Sequence, residues 1–236
     1  MPEMIQINFK REFPLFPLAG VALLPHASVP LHIFEDRYVR MVDDILDETG
    51  QLAMATFEGD RWKREYHGNP PIRPVVCLAQ IERHERLPDG HFNVLLQGLC
   101  RAQIIEEHMP GPDRPYRIAR LAPLEPNPDA AEPQLVGWRS RMRELLEQQG
   151  LSKLRFRQNV IEWFDRDDIP SYVLIEIVGH LLMTTPDDAE RRYKLLSEPD
   201  AVGRAEFAES QLQHLNDIVE AAQPQTTSWP KGMSWN

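Results

Sequence analysis

Residues 13–38 read FPLFPLAGVALLPHASVPLHIFEDRY. Pro14, Pro17, Pro25 and Pro30 stand among β-forming residues, and the run then changes abruptly into a charged, helix-like stretch. Proline fixes φ near −65° and donates no backbone hydrogen bond, so none of these positions suits the interior of a central strand. The order short strand, loop, short strand, helix follows. Phe13, Leu15 and Phe16 make a first edge, Val29 to Phe34 a second strand, and Asp36 caps a helix. In that helix Tyr38, Met41, Val42, Ile45 and Leu46 recur at helical spacing, and Gly50 supplies a C-terminal stop.

Downstream, Gln51 to Phe57 reads as a strand and Glu58 to Pro74 as a long loop carrying Trp62 and Tyr66. Val75 to Ile81 and Phe92 to Leu96 flank Asp89-Gly90, whose preference for positive φ predicts a hairpin turn. Leu99 to Ile105 and Tyr116 to Leu121 add two more strands. Pro123 to Pro133 is rich in proline and acid and reads as a boundary. Everything after it is helical in pattern. Leu135, Trp138, Met142, Leu145 and Leu146 share one face, and Phe156, Val160, Ile161 and Phe164 a second. Tyr172 to Met183 is the most apolar helix. Thr185-Pro186-Asp187-Asp188 is an N-terminal signal for the next one, and a last helix runs from about Pro199 to Ala221. The expected division is 1–124 for the β part, 125–222 for the helical part and 223–236 for a mobile tail that carries Trp229 and Trp235.

Composition bounds the function. A chain of 236 residues can bury a sizeable core, and 42% hydrophobic with 26% charged residues is ordinary for a water-soluble fold. No stretch approaches the roughly 18 apolar residues that span a bilayer, and MPEMIQINFKRE lacks the apolar core of a secretory signal. The cytoplasm is the expected compartment, and Cys77 and Cys100, each in an apolar run, are expected as buried free thiols. A net charge of −10, with acids ahead of bases in both parts, disfavours nucleic acid, whose affinity rests on phosphate neutralisation.

Few residues form a chemical constellation. His84, Glu85, Asp89 and His91 surround the hairpin turn, but a solvated polar tip explains them without a metal. His32 and Glu35 fit a strand-to-helix junction better than acid–base work. No serine lies in a nucleophile elbow, Ser152 and Lys153 are adjacent, and the two thiols sit where burial suppresses reactivity. None of the 12 glycines precedes lysine, which excludes a phosphate-cradling GxxxxGK loop. With two cysteines a four-cysteine zinc site is also excluded. Neither cofactor nor metal is expected. Arg61-Trp62-Lys63-Arg64 with Tyr66 and His67 mixes cations and aromatics. Such a cluster serves single-stranded nucleic acid by stacking, or protein contact, where aromatics and Arg dominate hot spots.

The chain resembles the Lon-protease N-terminal (LON) domain family. The resemblance rests on Phe13-Pro14-Leu15, on the block Pro30-Leu31-His32-Ile33-Phe34-Glu35-Asp36-Arg37-Tyr38, and on the strand Val75 to Ile81. It continues through Asp89-Gly90, Asn93-Val94-Leu95-Leu96-Gln97-Gly98, Arg101, Pro115-Tyr116 and, after Leu195-Leu196-Ser197-Glu198, Arg204, so that it covers about residues 10 to 215. Two departures stand out: Val76-Cys77 where the family commonly has glycine, and Ala102 where it often has a larger aromatic. The resemblance implies an α+β fold, a PUA-like β pseudobarrel with one inserted helix followed by a helical bundle. In full Lon proteases this domain precedes an ATPase and a Ser-Lys peptidase. In cereblon-like proteins it is a scaffold, and in short bacterial proteins, which this chain resembles, it stands alone. The implied function is non-catalytic recognition of polypeptide substrates or a protein partner, with homo-oligomers left open. The alternatives are a PUA-like RNA-binding protein and an enzyme of unrecognised type. Among the motif residues, Pro30, His32, Phe34, Glu35, Arg37, Tyr38, Asp89, Gly90, Gly98 and Arg101 are expected to be structural. Trp62, Tyr66, Arg61, Arg64, Trp229 and Trp235 are the expected contacts to a partner.

Overall fold

The computed structural model describes residues 7–66, 68–125 and 127–222. Six strands and the helix between the second and third come first: β1 (Glu12–Leu18), β2 (Ser28–Ile33), α1 (Asp36–Leu46), β3 (Gln51–Thr56), a one-turn α2 (Trp62–Glu65), β4 (Val75–Arg86), β5 (Phe92–His108) and β6 (Ile118–Pro123). Then follow α3 (Trp138–Glu147), α4 (Arg157–Phe164), α5 (Ser171–Leu182), α6 (Ala189–Ser197) and α7 (Ala201–Ala222), with short 3-10 segments between them. The loop expected over 58–74 thus contains α2. Glu35, not Asp36, occupies the N-cap position of α1, and Asp36 opens the helix.

The sheet order is β2-β5-β4-β3-β1-β6, and β6 pairs again with β5, so the hydrogen-bonded path β5-β4-β3-β1-β6 returns to its start. All pairings are antiparallel except β1 with β3. β1 is therefore not an edge. It meets β6 through Glu12 to Pro14 and β3 through Leu15 to Leu18. This staggering accommodates its prolines, since Pro14 and Pro17 each lie where β1 has one ladder partner. The two strands expected at Phe92–Leu96 and Leu99–Ile105 are one long strand, β5. Its path bends at a register shift opposite Leu78 and Ala79.

Two cores lie on opposite faces. Inside the closed path, Phe13, Leu15, Ala53, Ala55, Val76, Leu78, Ala102, Ala119 and Leu121 pack together. Five strands enclose little room, and the alanines fill the space left by Phe13 and the leucines. Val76 and Ala102 are cross-strand partners in this core. The outer face carries a larger core. There α1 contributes Tyr38, Met41, Val42 and Ile45, all nearly inaccessible. Each such side chain contributes about 1.5–3 kcal/mol by burial. The same core continues into Trp138, Leu174, Ile175, Leu195 and Leu212 of the helices.

A buried ionic group joins the sheet to the helices. Arg101 on β5 and Arg204 on α7 meet Glu176 on α5 and Glu125. Arg204 grips both oxygens of Glu125 at 2.6 and 2.7 Å and donates to the carbonyls of Glu198 and Pro199 at 3.0 Å. Its Nε lies 3.1 Å from Glu176 Oε1, an ionic contact rather than an aligned hydrogen bond. Arg101 pairs with the other Glu176 oxygen and donates from Nε to Leu196 O at 3.1 Å. Two cations thus balance two anions, of which Glu176 is buried and Glu125 is half-buried.

Candidate functional site

Alternation along β2 sorts the motif block onto two faces. Ile33 is buried and Val29 and Leu31 are half-buried against the outer core, whereas Ser28, Pro30 and His32 are exposed. Phe34, just past the strand, is 58% exposed, unusual for a large apolar side chain in this molecule. Its ring stacks on His32 (centroids 5.9 Å apart, planes at 20°), and His91 meets both rings edge-on at 5.5 and 6.5 Å. His32 Nδ1–H donates to Asn93 Oδ1 at 3.0 Å, and Asn93 Nδ2 donates to Glu85 Oε2 at 3.4 Å. These bonds fix the imidazole over the sheet. Beside it runs an open groove of about 620 Å³ lined by Pro30, Leu31, His32, Arg83, His84, Glu85, Asn93, Val94 and Leu95. The turn beneath His91 is the expected one: Gly90 has φ +89°, and Asp89 Oδ1 accepts from His91 N at 3.0 Å.

The second half of the block holds the loop that carries Trp62 and Tyr66. Tyr66 O–H donates to Glu35 Oε1 at 2.7 Å, and Arg37 donates from Nε to Glu35 Oε2 at 3.1 Å. The Arg37 guanidinium lies over the rings of Tyr38 (4.5 Å) and Tyr66 (5.4 Å). Burial, then the bond and charge of Glu35, push the Tyr66 phenol up to about 12. Trp62 stacks on Phe57 at 6.1 Å, and Tyr66 meets the same ring edge-on. Both aromatics are half-buried against the protein's own surface. Arg61 pairs with Glu65 and Lys63 with Asp60, while Arg64 is exposed. Tyr66→Phe is expected to lower stability by about 0.5–1.5 kcal/mol, the net worth of one hydrogen bond, in a urea titration. A change within error would mean that Glu35 is held by Arg37 alone.

The remaining motif residues are apart from this face. Gly98 lies against Leu24, and Arg101 is in the buried ionic group. Trp229 and Trp235 lie outside the described residues. Among the described residues no group of three or more His, Cys, Asp or Glu is placed to hold a metal. Cys77 and Cys100 are free, and burial raises both thiols, Cys100 to about 11. Sequence reading assigned Phe34 and His32 to the framework and did not single out Leu95. The period-2 alternation of Ser28, Pro30, His32 and Phe34 against Val29, Leu31 and Ile33 was the available signal.

A family model described as the ATP-dependent protease La (LON) substrate-binding domain matches residues 12–214. The chain belongs to this family. Its LON fold is similar to the N-terminal domain of Mycobacterium avium complex Lon protease, with TM-score 0.61 and 18% identity over 86% of this chain and 98% of that one. It is also similar to a Lon N-terminal domain protein from Xanthomonas campestris, with TM-score 0.57 and 21% identity over 83% and 95% of the two chains. Among curated relatives, Lon protease of Heliobacterium modesticaldum is 23% identical over 89% of this chain and 25% of its own length. For Lon protease of Chloroflexus aggregans the identity is 25%, over 70% and 20%. The chain therefore spans about a quarter or less of these relatives. Among the described residues no helix is long and apolar enough to cross a membrane.

Proposed function

We propose that this LON domain binds polypeptide without catalysing a reaction, and that the Phe34–His32–His91 face with its groove is where it does so. The observation that carries the reading is Phe34, an exposed aromatic stacked on His32, which itself lines a groove with apolar Pro30, Leu31 and Leu95. Aromatic anchors beside a partly apolar groove are what protein contacts draw on. The closed strand path supports reading the β part as a PUA-like pseudobarrel. Residues 1–124 and 125–222 are then subdomains of one body, since a single outer core runs through both. Cytoplasmic residence and a substrate-recognition role for a protease or a similar machine fit the family. RNA is the weaker ligand, because Arg61 and Lys63 are neutralised by neighbouring acids and the net charge is −10.

The test uses reduced, carboxymethylated α-lactalbumin, which cannot fold, titrated by fluorescence anisotropy against the intact chain and a Phe34→Ser, Leu95→Ser variant. The variant is expected to bind about 10-fold or more weakly, as for loss of an interface anchor, with an unchanged circular dichroism spectrum. Equal binding by both proteins, with loss instead in Trp62→Ala, would move the site to the α2 loop.

A further inference from the structure

The backbone phase of the β2–β5–β4 region shows what the free side of β2 offers. Leu87 N donates to His91 O at 2.9 Å, which makes that pair a hydrogen-bonded one. Antiparallel pairs alternate, so Glu85 with Asn93 and Arg83 with Leu95 are hydrogen-bonded pairs too. Asn93 and Leu95 thus spend their backbone groups on β4. Phe92, Val94 and Leu96 turn theirs toward β2, where they face Ile33, Leu31 and Val29. The backbone groups of Ser28, Pro30 and His32 consequently point away from the sheet. On that side β2 has no strand neighbour among the described residues. Among the described residues no turn or loop backbone hydrogen bond reaches those groups either.

We infer that β2 takes up an extended polypeptide segment as an added strand, with Pro30 at its centre deciding what can pair there. The inference rests on the polypeptide-binding reading and specifies how the segment is held. The edge presents N–H and C=O from Ser28 and His32 but only C=O from Pro30, an inventory that the backbone of an extended chain complements. An added strand also has somewhere to put its side chains. On one side they lie beside Pro30, His32 and the exposed ring of Phe34, and on the other they cover Val29 and Leu31, which the fold leaves half-buried. Extended segments of β-branched and aromatic residues with at least one apolar face are therefore favoured.

Pro30 selects against a second copy of this chain. Two β2 edges paired antiparallel about Pro30 would place two residues without donors opposite each other and lose both bonds of the central pair. A peptide loses only the one bond that Pro30 cannot donate. The proline therefore guards the edge against self-association while leaving it open to other chains.

The experiment uses a seven-residue peptide alternating Thr and Val around a central Phe, and the same peptide N-methylated at its three central residues. Affinity is measured by calorimetry, and amide exchange at Ser28 and His32 by NMR. Strand addition predicts slowed exchange at both amides and about 10-fold or greater weakening by N-methylation. Pro30→Val, which restores a donor on the outer edge, is expected to bind the unmodified peptide about two- to ten-fold more tightly. Equal affinity for both peptides with unchanged exchange at Ser28 and His32 would overturn the inference. So would failure of the peptide to bind while unfolded lactalbumin still does. If neither ligand binds, the polypeptide-binding reading falls with it.

Discussion

Replacing Arg204 by methionine is expected to lower the stability of the fold by about 3–5 kcal/mol, the cost of breaking a buried ion pair by removing one partner. Arg204 is inaccessible, and it meets Glu125 through two hydrogen bonds and Glu176 through an ionic contact. Without it, Arg101 alone faces the buried Glu176 and the half-buried Glu125 carboxylates, and the carbonyls of Glu198 and Pro199 lose their donor. Methionine approximates the aliphatic stem, so the loss reports charge and hydrogen bonding more than volume. For a chain of this size the thermal midpoint should fall by roughly 6–20 °C, at about 2–4 °C per kcal/mol. Urea titration of Arg204→Met, Glu176→Gln and the double variant gives the coupling directly. The double variant should be less destabilised than the sum of the two, because each single change strands a charge that the other removes. A loss under 1 kcal/mol in the Arg204 variant would mean that water enters the junction and solvates the carboxylates.

This ionic group shows how far the sequence could be read. Arg101 and Arg204 stood out in the family pattern, but their partners did not. Glu176 is the one acid inside the apolar helix 172–183, and a lone charge there is itself a sign of a buried partner. Which partner depends on tertiary packing that no local pattern encodes. Glu125 sits in a proline-rich stretch that reads as a linker, and only the fold turns it inward. The strands, α1 and the hairpin at Asp89-Gly90 were legible because periodicity and turn chemistry are local. A barrel-like β unit could be expected from the run of short strands, but which strands pair to bring β6 back onto β5 could not, since that depends on residues distant in the chain. The same limit applied at the surface. Trp62 and Tyr66 look like a free aromatic loop in sequence, and the structure lays them on Phe57 and Glu35. Phe34, grouped with the framework residues around it, is the aromatic ring left exposed among the described residues. Composition cannot make that distinction, because both outcomes use the same residue types.

Gly98→Ala should cost about 2–3 kcal/mol, although it adds a single methyl group to a strand. A Cβ at Gly98 would clash with Leu24 O and stand 3.0 Å from both Leu24 C and Cys77 Sγ. The first and nearest neighbour is backbone, which cannot swing aside as a side-chain tip can. The segment that would have to move is tied to this same residue: Gly98 N donates to Ala27 O and Gly98 O accepts from His26 N, both at 2.9 Å. His26 already holds φ +62°, a left-handed conformation uncommon for a residue with a side chain. Shifting the loop would break these bonds or strain His26 further, and overpacking of this kind costs about 1–3 kcal/mol. The loop leads directly into β2, so the displacement should also carry Pro30, His32 and Phe34 with it and weaken polypeptide binding. Gly111→Ala is the control, because among the described residues nothing lies within 4 Å of a Cβ there, and it should stay within about 0.5 kcal/mol of the parent. Urea midpoints measured side by side separate the two positions. Equal stability of the two variants would show that the Leu24 to Ala27 loop yields freely, and that the glycine in this motif serves something other than close backbone approach.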